Sequence, residues 1–128
     1  MKAAVITESG LSVQEVPTPK PKANQILVKV QFSALNRADL AMSAGHKHGA
    51  AGGAGAIAGL EWAGEVAEVG SAIEEYQPGD RVMCSGAGAY AEYALSDITR
   101  TNPIPETPFG TDDYSYEEAA TLPVALQT

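Results

Sequence analysis

Basic residues are scarce in this chain. Eight Lys and Arg stand against sixteen Asp and Glu, a formal net charge of -8 over 128 residues. Only Lys20 and Lys22 lie close together, whereas a nucleic-acid surface needs clustered cations, so no nucleic-acid partner is expected. Cysteine is rarer still. Cys84 stands alone, which excludes an intramolecular disulfide framework and fits a reducing compartment. No apolar run approaches the ~20 residues that cross a bilayer. No basic segment followed by an apolar one opens the chain as a secretory leader does. The expectation is a cytoplasmic protein with no membrane association. Aromatics make up 6% of the residues, so the core must rest on Val, Ile, Leu and Ala.

What remains is one domain's worth of chain, long enough to bury a core without metal or disulfide. Short strand-like runs alternate with glycine and proline turns. Ala3–Thr7 reads as a strand, turned back by Glu8-Ser9-Gly10 into Leu11–Val16. Pro17, Pro19 and Pro21 make a stiff, exposed connection. Ile26–Ser33 predicts a strand with Ile26, Val28, Val30 and Phe32 on one face. Asn36 can cap a short helix ending near Gly45. His46–Gly59, rich in Gly and Ala, reads as a mobile loop anchored by Ile57. Glu61–Val69 has both helical spacing and an interior Gly64; a bent or bulged strand costs less than a helix broken at glycine. Gln77–Asp80 has Pro and Gly where a type II turn wants them. Arg81–Cys84 and Tyr90–Leu95 follow as strands, then a long proline loop. Ser115 to Glu118 forms a capping box that opens a helix. Leu122-Pro123 interrupts it, and Thr128 falls inside an apolar run that reads as a cut through an element. The pattern is mainly β, a partly open β-barrel with short peripheral helices.

Several residue types invite chemistry. Gly53, Gly55 and Gly59 superficially resemble a dinucleotide fingerprint, but no strand precedes them and no helix follows. His46, His48 and Cys84, with Asp39 or Glu61, are zinc-type ligands, yet no convergent set emerges from their spacing. Cys84 reads as a structural cysteine, because no base or helix start stands beside it. Glu61 beside Trp62 is either a carboxyl perturbed by an apolar neighbour or a side chain that points to solvent or bonds a backbone amide.

Taken in order, MKAAVITESG, ILVKVQFSALNRADL, GLEWAGEVAEVG, YQPGDRVM, GAYAEYAL and YEEAATLP cover nearly the whole chain. Together they resemble the N-terminal catalytic domain of the medium-chain dehydrogenase/reductase superfamily, a GroES-like barrel. Zinc members of that superfamily carry a cysteine where this chain has Asn36 and a Gly-His-Glu where it has Gly59-Leu60-Glu61. Their four-cysteine lobe has no counterpart after Cys84. The chain is therefore similar to the zinc-independent quinone oxidoreductase branch. The resemblance implies NADPH-dependent reduction of a small-molecule quinone or activated enone by hydride transfer, without zinc. It implies a catalytic role for Asn36 at the cleft near nicotinamide and substrate, and a cofactor contact for Thr128. Lys47 and Glu61 fall on the substrate side, with Lys47 where the family commonly has tyrosine. It further implies that residues 1–128 are the substrate domain alone, that NADPH is bound mainly by a Rossmann domain absent from this chain, that the isolated domain is inactive, and that the full-length protein forms a homodimer. The alternatives are an enoyl-thioester reductase, an alcohol dehydrogenase relative that has lost its zinc, and a stand-alone GroES-like binding or scaffold module.

Overall fold

Strand β3, Gln25–Ala34, is the spine of the molecule. In a computed structural model of the chain, which describes residues 1–35, 47–48, 51–52, 55–104 and 115–120, it is paired antiparallel on both edges. The hairpin before it is β1 (Lys2–Thr7) and β2 (Gly10–Glu15). After it come the two-residue strands β4 (Lys47–His48) and β5 (Ala51–Gly52), then β6 (Glu61–Val69), β7 (Arg81–Ser85), β8 (Tyr93–Asp97) and β9 (Thr101–Pro103). Helix is confined, among the described residues, to a 3-10 turn at Ile98–Arg100 and to α1, Tyr116–Ala119.

The main sheet has the order β8-β3-β6-β7-β9. The β1–β2 hairpin closes onto it through backbone bonds. The Ala4 amide donates to the Tyr90 carbonyl at 2.8 Å and the Ile6 amide to the Ala56 carbonyl at 2.8 Å. The Ala58 amide returns a bond to the Ala4 carbonyl at 3.0 Å. The result is a curled half-barrel, as the strand pattern led one to expect. Its core is Ile26, Val28, Trp62, Val66, Val82 and Cys84, all essentially inaccessible. A second cluster joins Ala63, Met83 and Ile104 to Ala119 of α1 and to Ala120, its C-cap. The capping box holds that helix start: the Ser115 hydroxyl accepts from the Glu118 amide, and the Glu118 carboxylate accepts from the Ser115 amide, each at 3.1 Å.

Three expectations need correction. The two-faced pattern assigned to Ile26–Ser33 does not hold: Leu27 is buried beside Ile26 and Val28, while Phe32 is 45% exposed. The start of β3 is covered on both faces, and a bulge at Gln31 shifts the register between Val30–Gly64 and Phe32–Ala63. An extra residue in one strand turns the following side chains over. Second, the Gly/Ala-rich stretch is not all loop. The backbone of β4 pairs with β5, and Gly55–Ala58 runs alongside β1 with a Val5–Ile57 bridge. Small side chains gave no sign of this because backbone bonds hold the segment. Third, the proline loop begins with the ordered β9, and Pro103 sits at the sheet's outer edge, where its missing N–H costs no ladder bond.

Gly64 explains why Glu61–Val69 is a strand. A Cβ there would collide with the Lys29 carbonyl and the Val28 side chain across the β3–β6 contact. Gly64→Ala is therefore expected to lower stability by about 3 kcal/mol, the upper end for overpacking. Urea unfolding should show the midpoint falling steeply, whereas a shift of a few tenths of a kcal/mol would mean that the two backbones can separate freely.

Candidate functional site

One end of the half-barrel holds Glu61. The last ladder pair of β3 is Ala34–Glu61, and Glu61 pairs in turn with Ser85 of β7. The ends of three strands are thus brought side by side. Glu61 is 3% exposed. This burial removes the reading in which Glu61 points to solvent and leaves the one in which its carboxylate bonds within the fold.

A strap of chain, Gly86–Ala91, ties this end together. The amides of Gly86, Gly88 and Tyr90 donate to the carbonyls of Leu60, Gly59 and Ala58 at 2.8, 3.1 and 2.9 Å. From the other side the Ser33 hydroxyl donates to the Ala89 carbonyl at 2.6 Å, and the Tyr90 hydroxyl to the Ala34 carbonyl at 3.4 Å. The fit is close because Gly59 has no side chain: its φ is +105°, and a Cβ there would stand 2.7 Å from that of Ala89. Ser33 and Tyr90 did not emerge from the sequence reading. The only hint was the Gly86/Gly88 spacing before Tyr90, which marks a tight turn but not what it ties.

Leu60 is buried against Ile6 and Ala58. An apolar side chain thus fills the position before Glu61. Cys84 is wholly buried on β7, opposite Trp62 and Thr101. Burial pushes its thiol up to about 12, although the hydroxyls of Ser96 and Thr101 pull the other way. The thiol is therefore protonated at neutral pH, as a structural cysteine should be. Among the described residues no three His, Cys, Asp or Glu side chains gather as metal ligands. Asn36, Asp39, His46 and Thr128 lie outside the described residues. Lys47 and His48 are described only as backbone of β4. The site is thus seen as its sheet end and strap, and Glu61 is its one proposed residue whose side chain is described.

A cavity of about 610 Å³ between Tyr76, Asp80, Arg81 and Pro103 lies elsewhere. Arg81 pairs with Glu65, at the opposite end of β7 from the Glu61–Ser85 pair. There the Arg81 guanidinium stacks 4.5 Å above the Tyr116 ring and helps seat α1.

This architecture has known counterparts. The family model of the alcohol dehydrogenase GroES-like domain matches residues 22–106. The chain belongs to that family. The GroES-like domain is 35% identical over 98% of its length to the zinc-binding alcohol dehydrogenase domain-containing protein cipB of Emericella nidulans, covering 41% of it. It is 33% identical to the quinone oxidoreductase of Rattus norvegicus, over 84% of this chain and 34% of that protein. The structure of the quinone oxidoreductase from Coxiella burnetii superposes with a TM-score of 0.81 at 27% identity, over 98% of this chain and 41% of that one. Trans-enoyl reductases also match. The relatives are oxidoreductases, and the GroES-like domain spans well under half the length of each.

The Cys84 environment carries a pH signature. Unfolded, the thiol ionises near its ordinary 9.0; folded, it keeps its proton to about 12. The folded state therefore loses stability as pH climbs through that window. Burial raises Tyr76 in the same direction. Cys84→Ala should flatten the decline in unfolding midpoint between pH 9 and 12, and native Cys84 should resist alkylation at pH 8 until denaturant is added. Rapid alkylation of the folded protein would contradict the burial.

Proposed function

We propose that this GroES-like domain is the substrate-side part of an NADPH-dependent, zinc-independent oxidoreductase that reduces quinones or activated enones by hydride transfer. The observation that carries the zinc-free part is Leu60. It occupies the position of the zinc family's histidine and is packed against Ile6 and Ala58, so it offers a hydrocarbon where a ligand would be needed. Asn36, in place of the family's catalytic cysteine, supplies an amide that can orient a carbonyl but cannot act as a thiolate ligand. The named quinone oxidoreductases among the relatives support the choice of acceptor. The trans-enoyl reductases favour enones as the second acceptor class.

The described residues do not by themselves fit a dinucleotide. No strand, glycine-rich turn and helix follow one another in them as a pyrophosphate site requires. The bulk of NADPH would be held by the rest of the full-length protein, with Asn36 and Thr128 the positions that the family resemblance assigns to its nicotinamide end. NADPH supplies the hydride when bound. The domain's own residues would orient the acceptor and exclude water: the Asn36 amide can donate to a carbonyl oxygen, and Lys47 and Glu61 are the substrate-side residues that the family resemblance marks. The protein that carries the domain works in the cytoplasm as a homodimer.

The test is turnover by the full-length protein with NADPH and NADH against a panel of quinones and enones, together with metal analysis. Reduction with a preference for NADPH, and no stoichiometric zinc, is the expected result. Asn36→Ala should lower kcat/KM on the order of 10- to 100-fold, the usual cost of a misplaced reactant. Stoichiometric zinc that is required for turnover would overturn the reading of Leu60 and Asn36.

A further inference from the structure

We propose that two copies of this protein join through the free edge of β2, pairing antiparallel about Val13 so that one sheet runs through both. The hairpin's backbone bonds show where that edge is open. In β1, Lys2, Ala4 and Ile6 bond on the side away from β2. The Ala4 amide donates to Tyr90 and its carbonyl accepts from Ala58; the Ile6 amide donates to Ala56 and its carbonyl accepts from Gly55; the Lys2 carbonyl accepts from Glu92. Their ladder partners on β2 are Glu15, Val13 and Leu11. In an antiparallel ladder both residues of such a pair turn their backbone groups outward. The N–H and C=O of Leu11, Val13 and Glu15 therefore point away from the fold, and none of them has a hydrogen-bond partner among the described residues.

Nothing guards this edge. Gly10–Glu15 contains no proline, lysine or bulge, the devices that keep sheet edges from pairing. Val13 is 75% and Leu11 45% exposed. Val13 also borders an open groove of about 400 Å³ with Val30 and Phe32, so apolar surface continues past the strand. The edge is self-complementary as well. A two-fold axis at Val13 sets that residue against its own copy and each Leu11 against Glu15 of the second copy. Two bonds form in each of the three pairs, and every open group on both edges is used. With the axis at Ser12 instead, Glu15 meets the turn at Ser9 and its groups stay open. In the Val13 register no acid faces an acid, although the net charge is -8: Glu15 has Lys2 beside it on its own hairpin and a leucine across the axis. This two-fold match favours a second copy over an unrelated strand. A strand pair buries less than the ~1,200 Å² of stable interfaces, so the association is weak and depends on concentration.

The experiment is sedimentation of the full-length protein from about 1 to 100 μM, where weak interfaces assemble, with circular dichroism to confirm folding. At the upper end Val13→Pro is expected to halve the mass, whatever other interface the full-length protein has. It removes an outward amide and leaves the bonds to β1 in place. Leu11→Glu sets carboxylates against each other at both ends of the pairing and should weaken association about tenfold. Adding Glu15→Lys to Leu11→Glu gives those pairs opposite charges and should restore the wild-type mass, a rescue that a general loss of stability would not produce. Should Val13→Pro fold poorly, the charge exchange carries the test by itself. An assembly indifferent to Val13→Pro and Leu11→Glu overturns this inference and leaves the homodimer reading standing, as does a double variant that stays dissociated. A wild type that runs as a single copy at every concentration overturns both.

Discussion

Two backbones touch at the centre of this molecule because one residue has no side chain. Gly64 lets β6 lie so near β3 that any Cβ would strike the Lys29 carbonyl. From that contact the rest follows. β3 is held between β6 and β8, β7 lies along the far edge of β6, and the sheet curls enough for the β1–β2 hairpin to close on it. Side chains of modest size then suffice for the core, with Trp62 as its single large filler. Close packing of strands, rather than bulk of side chains, supplies the order in a chain so poor in aromatics.

The same contact determines where the candidate site lies. Because β6 is pinned at Gly64, its first residues fall beside the last of β3 and β7, and Glu61 is carried into a buried position. The strap from Gly86 then fastens these ends. Its carbonyls and amides reach the hairpin, β3 and the segment before β6 together. At this candidate end the hairpin, β3, β6, β7 and the strap converge, whereas the cavity near Arg81 lies at the opposite end of β7.

The sequence was most informative where local chemistry dominates. The Gln77–Asp80 turn, the Ser115 capping box and the strand at Gly64 were legible because glycine, proline and serine impose their own conformations. The half-barrel was legible because many short motifs stand in order. What could not be read depended on distant partners. Burial of Leu27 needs cover on the second face of the sheet, exposure of Phe32 needs the bulge, and the pairing of Gly55–Ala58 needs β1. Likewise Ser33 and Tyr90 are ordinary residues until the end of β3 meets the strap 56 positions further along the chain. Leu60 was legible only by likeness to a family, and its packing shows what that position does for the fold: it fills a corner with hydrocarbon.

Trp62 has a role beyond packing. It is the only indole in the chain and has no exposed surface, and its N–H finds no partner among the described residues. It neighbours Glu61 in sequence and faces Ser33 across the ladder. The protein thus carries a built-in optical probe in its core, one residue from the candidate end of the sheet. Emission from such a site is governed by dry surroundings, without overlap from a second fluorophore of its kind. Any event that admits water to this end of the sheet would be visible as a change of colour or brightness, with no label attached.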